Sequence, residues 1–142
     1  MNGQGFTRIL QNTEFVPEDA VLAIHERLIR KFGGSLGLRD KGLLESALSQ
    51  PQQTFCGELL HPTIHEQAAA YLYHLAKNHA FVDGNKRIAL ATVNAFLKLN
   101  GYKLTLSKAK TEQLVIDVVE SKVSKEELFV VFENYVQPLN LS

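Results

Sequence analysis

The chain has 142 residues, with 15 Lys plus Arg against 15 Asp plus Glu, and 45% of its residues are hydrophobic. This is globular composition, and a chain of such length buries about 70% of its unfolded surface without help from disulfides or structural metals. The zero formal net charge excludes a nucleic-acid binder driven by bulk charge, and the lone Cys56 excludes an internal disulfide or a cysteine-built zinc site.

The first fifteen residues show no helical period, and the residues after Met1 are polar rather than a charged start followed by an apolar run. No segment is long enough to span a bilayer. The expectation is one domain over residues 1–142, working in the cytoplasm. Pro17-Glu18-Asp19 opens a helix whose face reads Val21, Ile24, Leu28 and Phe32, and Gly33-Gly34 stops it. Asp40 is placed to cap a second helix with Leu43, Leu44, Ala47 and Leu48, ended by Pro51. Residues 51–62 read as a loop, either a connection or a functional flap.

Thr63 and Glu66 have capping-box spacing, and the helix behind them runs toward Asn78. After a break at residues 79–84, a helix over about 85–100 is apolar almost all round, which predicts burial at the centre of the domain. Tyr102 to Leu106 is a short extended piece. Ser107 opens a fifth helix, and the Ser124/Glu127 box opens a sixth that Pro138 closes. The predicted fold is all-α, six helices around the 85–100 helix.

Residues 79–87 read His-Ala-Phe-Val-Asp-Gly-Asn-Lys-Arg. Lys86 and Arg87 stand at a helix start, the positive end of the dipole, where cations are unfavourable. An anion docked on the free N–H groups offsets that cost. Gly84 permits a positive φ and close backbone approach to a phosphate. Asp83 is the one nearby carboxylate, and beside phosphates a single carboxylate suits Mg²⁺. His79 has the residue type of a base working near neutral pH. Together these groups point to phosphoryl or nucleotidyl transfer. The alternative for this stretch is a polar interhelix loop with a solvated helix start.

The segment resembles the His-x-Phe-x-Asp-Gly-Asn signature of the Fic/Doc superfamily, with a looser likeness over about residues 20–101. Leu38-Arg39-Asp40-Lys41-Gly42-Leu43-Leu44-Glu45-Ser46-Ala47 is similar to a segment of its death-on-curing (Doc) toxins. Lys86, where typical Fic adenylyltransferases have a second glycine, and Leu90, where they have a second arginine, side with Doc; Gly84 is Fic-like. The resemblance implies a six-helix Fic/Doc-like bundle and a toxin of a toxin–antitoxin pair. It implies a protein kinase that transfers the γ-phosphate of ATP to a hydroxyl of a translation elongation factor. His79 is then the general base, Asp83 the Mg²⁺ ligand, and Gly84, Asn85, Lys86 and Arg87 the nucleotide and phosphate cradle. Phe81 packs the loop into the core. The implied partner is an antitoxin covering the groove, because the Ser/Thr-x-x-x-Glu-Gly/Asn brake of many Fic proteins has no counterpart in the chain.

Two other readings stay open: AMP transfer of the Fic type, and a catalytically idle module that binds a peptide. Elsewhere the simpler assignments hold. His25, His61, His65 and His74 read as structural, with His61 and His65 a weak metal pair. Arg39, Asp40 and Glu45 read as a cap with a surface ion pair, although the resemblance to Doc toxins implies that this segment lies near the active-site groove. Cys56 lacks a neighbouring base, and the charges on the last two helices, Lys125 included, read as solvated surface.

Overall fold

In the computed structural model, residues 13–139 are described. Most of the unpatterned N-terminal stretch therefore lies outside the described residues. Among the described residues the chain forms six α-helices, as the sequence predicts: α1 (Glu18–Phe32), α2 (Lys41–Ser49), α3 (Ile64–Asn78), α4 (Asn85–Leu99), α5 (Lys108–Val119) and α6 (Lys125–Tyr135). Their starts follow from local chemistry. Asp40 accepts from the Leu43 amide, Thr63 from Glu66, Ser107 from Lys110 and Ser124 from Glu127. The box at Ser124 is complete, since its amide donates back to Glu127. The box at Thr63 is half made, with Glu66 Oε1 buried and unpartnered. No described helix is long and apolar enough to cross a membrane.

The centre of the core is α3, not the 85–100 helix. It buries Ile64, Gln67, Ala68, Ala69, Ala70, Tyr71, Leu72, Leu75 and Ala76, and it packs on α2, α4, α5 and α6. Its run of alanines lets neighbours approach closely on several sides. By contrast α4 buries one face (Ile88, Ala89, Thr92, Val93, Phe96, Leu97) and exposes Lys86, Arg87, Asn94 and Lys98. The all-round apolar reading counted Leu99, which is exposed at the helix end. Helix α4 also packs against α1.

Two short sheets complete the fold, one inside the segment read as a loop and one formed by the expected extended piece. After a 3₁₀ turn at Gln50–Gln52, β1 (Thr54–Phe55) and β2 (Glu58–Leu59) pair antiparallel, with Thr54 opposite Leu59. The connecting residues Cys56 and Gly57 both have positive φ, the signature of a type I′ hairpin turn. Cysteine is unusual there, which hid the hairpin within the loop reading. The extended piece after α4 is β3 (Tyr102–Leu104). It pairs with β4 (Val136–Pro138), so the chain leaves α6 as a strand before Pro138.

Candidate active site

Helix α3 ends at His79, whose left-handed backbone (φ 51, ψ 48) turns the chain sharply into the 79–84 loop. The segment before α2 holds that loop. Arg39 donates from Nε (2.8 Å) and Nη2 (2.5 Å) to the His79 carbonyl. The Arg39 and Asp40 amides both donate to Ala80 O, and the Val82 amide donates to Gly37 O. The predicted ion pair for Arg39 is therefore not made: this guanidinium positions the His79 backbone. The pair that forms nearby is Lys41 with Glu18 and Glu45. Phe81 is buried, as its apolar character requires, and its ring stacks on His25 at 3.9 Å between centroids. The His79 side chain is left exposed at the turn.

Asp83 follows on the same loop and is also exposed. Its Oδ2 accepts from the Ser35 amide (3.1 Å) and its Oδ1 from the Gly84 amide (2.8 Å). These two bonds, followed by the charges of Arg87 and His25, hold its carboxyl below the ordinary aspartate range. Its backbone carbonyl accepts from Nε2 of the buried His25 at 2.7 Å, which fixes the proton on that nitrogen. The structural reading of His25 stands, with a sharper meaning: it packs under the loop and orients its backbone.

Gly84 caps α4 with φ +76 and offers no side chain to the first-turn amides. A Cβ there would press on Ile29 at 3.1 Å and His25 at 3.4 Å, so glycine fits both the dihedral and the space. The first α4 bond to Gly84 runs from the Ile88 amide, and the amides of the first turn have no acceptor within the helix. The Asn85 side chain brackets Phe81, accepting from its amide and donating to its carbonyl, both at 3.0 Å. What Asn85 offers a ligand is its backbone N–H. Arg87 donates to Gly33 O (3.2 Å) and lies over the Phe32 ring. A cavity of about 400 Å³ opens between the end of α1 and the start of α4, lined by Phe32, Gly33, Gly34 and residues 83–87.

One loop and one helix start thus gather the six predicted site residues, with Asp83 through Arg87 lining one cavity and His79 exposed at the loop's other end. The donor set suits a cation shared with phosphates. Each Asp83 oxygen keeps a lone pair beyond its amide bond, and among the described residues no group of three or more His, Cys, Asp or Glu could hold a metal by protein ligands alone. His61 lies before the cap of α3 and is buried edge-on to Phe129, so it does not share a helix face with His65. Sequence reasoning missed the supports His25, Gly34, Ser35 and Arg39. The one signal available was a histidine at the i+4 position between Val21 and Ile29 on the buried stripe of α1.

A family model described as Fic/DOC family matches residues 15–97, which include the whole 79–87 stretch. Toxin Doc of Mycolicibacterium smegmatis is 51% identical over 73 residues, covering 51% of this chain and 56% of that protein. Protein kinase doc of Escherichia phage P1 is 34% identical over 88 residues, covering 62% of this chain and 68% of that protein. The matches span a little over half the length of the first relative and about two thirds of the second.

Proposed function

Because the chain belongs to the Fic/DOC family, we propose that it is a single-domain toxin of a toxin–antitoxin pair, a cytoplasmic kinase that moves the γ-phosphate of ATP to a protein hydroxyl. The target proposed is a translation elongation factor, whose modification blocks translation. The carrying observation is the open start of α4, with bare first-turn amides and Lys86 and Arg87 on the cavity that Asp83 borders. In the reaction the target hydroxyl oxygen bonds to the γ-phosphorus and the bond to the β–γ bridging oxygen breaks, so ADP leaves. His79 takes the hydroxyl proton. The N–H groups of α4, Lys86 and Arg87 stabilise charge on the transferring phosphate. Mg²⁺ bound at Asp83 would supply charge neutralisation across the phosphates.

Phosphate rather than AMP transfer is supported by what adjoins the cradle. Lys86 and Arg87 also line a second cavity of about 270 Å³ between α4 and α5, with Leu90, Glu112, Val115 and Ile116. Beyond Lys86, Arg87 and Glu112 its walls are the apolar Leu90, Val115 and Ile116, so this space suits a nucleobase better than a phosphate tail. With the base beside Leu90, the terminal phosphate lies toward Asp83. AMP transfer is the second reading, and Gly84, a glycine with positive φ as in Fic proteins, favours it. The antitoxin is proposed to cover the site across the exposed Phe32 and Val82 that flank Asp83.

Incubating an elongation factor with the protein, ATP and Mg²⁺ and measuring its intact mass tests the proposal. A phosphate-sized gain that His79→Ala abolishes is expected. An AMP-sized gain would favour the second reading, and no gain at all would remove the elongation factor as target.

A further inference from the structure

Helix α1 ends in a turn that touches the site without supplying a charged ligand. Gly33 caps α1 and gives its carbonyl to Arg87. Gly34 follows with φ +118, and the amide of Ser35 bonds Asp83 Oδ2. A Cβ built on Gly34 would stand 2.6 Å from that same Oδ2, 3.3 Å from Asp83 Cγ and 3.1 Å from Ile29 Cδ1. A carboxylate held by backbone is not the flexible end of a long side chain. Asp83 has one rotatable carbon before the carboxyl, and both oxygens are already tied to amides. A methyl group at residue 34 therefore forces the carboxylate off the Ser35 amide and away from its present direction.

We propose that Gly34 is a positioning residue for Asp83: its bare Cα admits the carboxylate against the turn, so that the Ser35 amide fixes the direction in which Asp83 meets a divalent cation. The inference rests on the reading of Asp83 as the Mg²⁺ ligand. It makes α1, which carries none of the predicted site residues, one wall of the metal site. Groups that orient a ligand in this way are worth about 10- to 100-fold in metal affinity.

The distinguishing control lies elsewhere in the chain. Gly101 also has positive φ (+85), but a Cβ there meets nothing within 4 Å. Gly34→Ala and Gly101→Ala share the backbone strain, and only the first carries the collision with Asp83. Mn²⁺ binding in the presence of ADP, read from the electron paramagnetic resonance of free Mn²⁺, needs no turnover. Gly34→Ala is expected to weaken Mn²⁺ binding about 10- to 100-fold, and Gly101→Ala to leave it at the wild-type value. The double variant Gly34→Ala/Ile29→Val removes the Ile29 Cδ1 contact and keeps the Asp83 collision, and it carries the test if the single variant folds poorly. It is expected to bind Mn²⁺ as weakly as the single variant. Wild-type affinity in Gly34→Ala, or recovery in the double variant, overturns the positioning role alone. A wild-type protein that binds no Mn²⁺ overturns the Asp83 metal reading and the positioning role with it.

Discussion

Helices α4 and α6 begin in opposite ways. At α6 the Ser124 hydroxyl and the Glu127 carboxylate satisfy each other's backbone amides, and Glu126 and Glu127 place negative charge on the positive end of the dipole. At α4 the cap is Gly84, no side chain meets the amides, and Lys86 and Arg87 stand where acids belong. Among the described α-helices, α4 alone has neither a side-chain cap nor an acid in its first turn. One start is satisfied by its own side chains; the other leaves its first-turn amides uncapped beside two exposed cations. A helix end arranged against its own stability is the better marker of function.

Exchanging the characters of the two starts breaks or sharpens that contrast. The largest effects belong to the loop before α4. His79→Ala and Asp83→Ala are each expected to lower phosphate transfer by about 100-fold or more, with the thermal midpoint close to wild type for His79→Ala, whose side chain is exposed, and modestly lowered for Asp83→Ala, which loses the Ser35 and Gly84 amide bonds. An Asp83→Ala protein that unfolds would mark the carboxylate as a structural cap. Lys86→Glu gives α4 an acid like those of α6. It is expected to stabilise the fold by about 0.3–1 kcal/mol while transfer is lost, two opposite signs read by a melt and an activity assay. Lower stability together with retained transfer would show that no anion uses this end. Ser124→Ala is the mirror image: a loss of about 1 kcal/mol in stability, with transfer per folded molecule unchanged.

The contrast was legible in the sequence because both starts are local. Caps act over three residues, so Asp40, Thr63, Ser107 and Ser124 announce themselves, and the nine residues from His79 to Arg87 are dense enough to be read as one site. What stayed hidden joins distant parts of the chain. Arg39 reaches His79 across 40 positions, and His25 reaches Asp83 across 58. Neither spacing leaves a periodic trace, and Arg39 beside Asp40 and Glu45 looks like an ordinary surface charge. The centre of the core was misjudged for a related reason. Helices α3 and α4 carry nine apolar residues each, so the count does not separate them, and the run of alanines in α3 decides which helix can be surrounded. Lys125 shows the same limit: on a charged helix start it reads as solvated, yet it is partly buried over the Phe129 ring and its ammonium is pushed down by that burial.

Lys125 also adds to the smallest effect, which lies away from the α4 start and on the complete one. His74, on α3, has Nε2 buried without a partner, and burial, then the charges of Lys125 and His61, lower its pKa to about 4. His61 is shifted the same way, by burial first and Lys125 second. In the unfolded chain a histidine titrates near about 6.5. Between that value and about 4 the unfolded state binds more protons than the folded one, so stability falls as the pH falls through this window. Melts taken from pH 7 down to pH 4.5 are expected to show a declining midpoint. His74→Gln, which cannot gain charge, is expected to flatten the decline. A decline that survives His74→Gln intact would assign it to other groups. Acid would then act on the molecule elsewhere than at the α3–α6 contact, and the start of α6 would owe its stability to its capping box without any help from a neutral histidine beneath it.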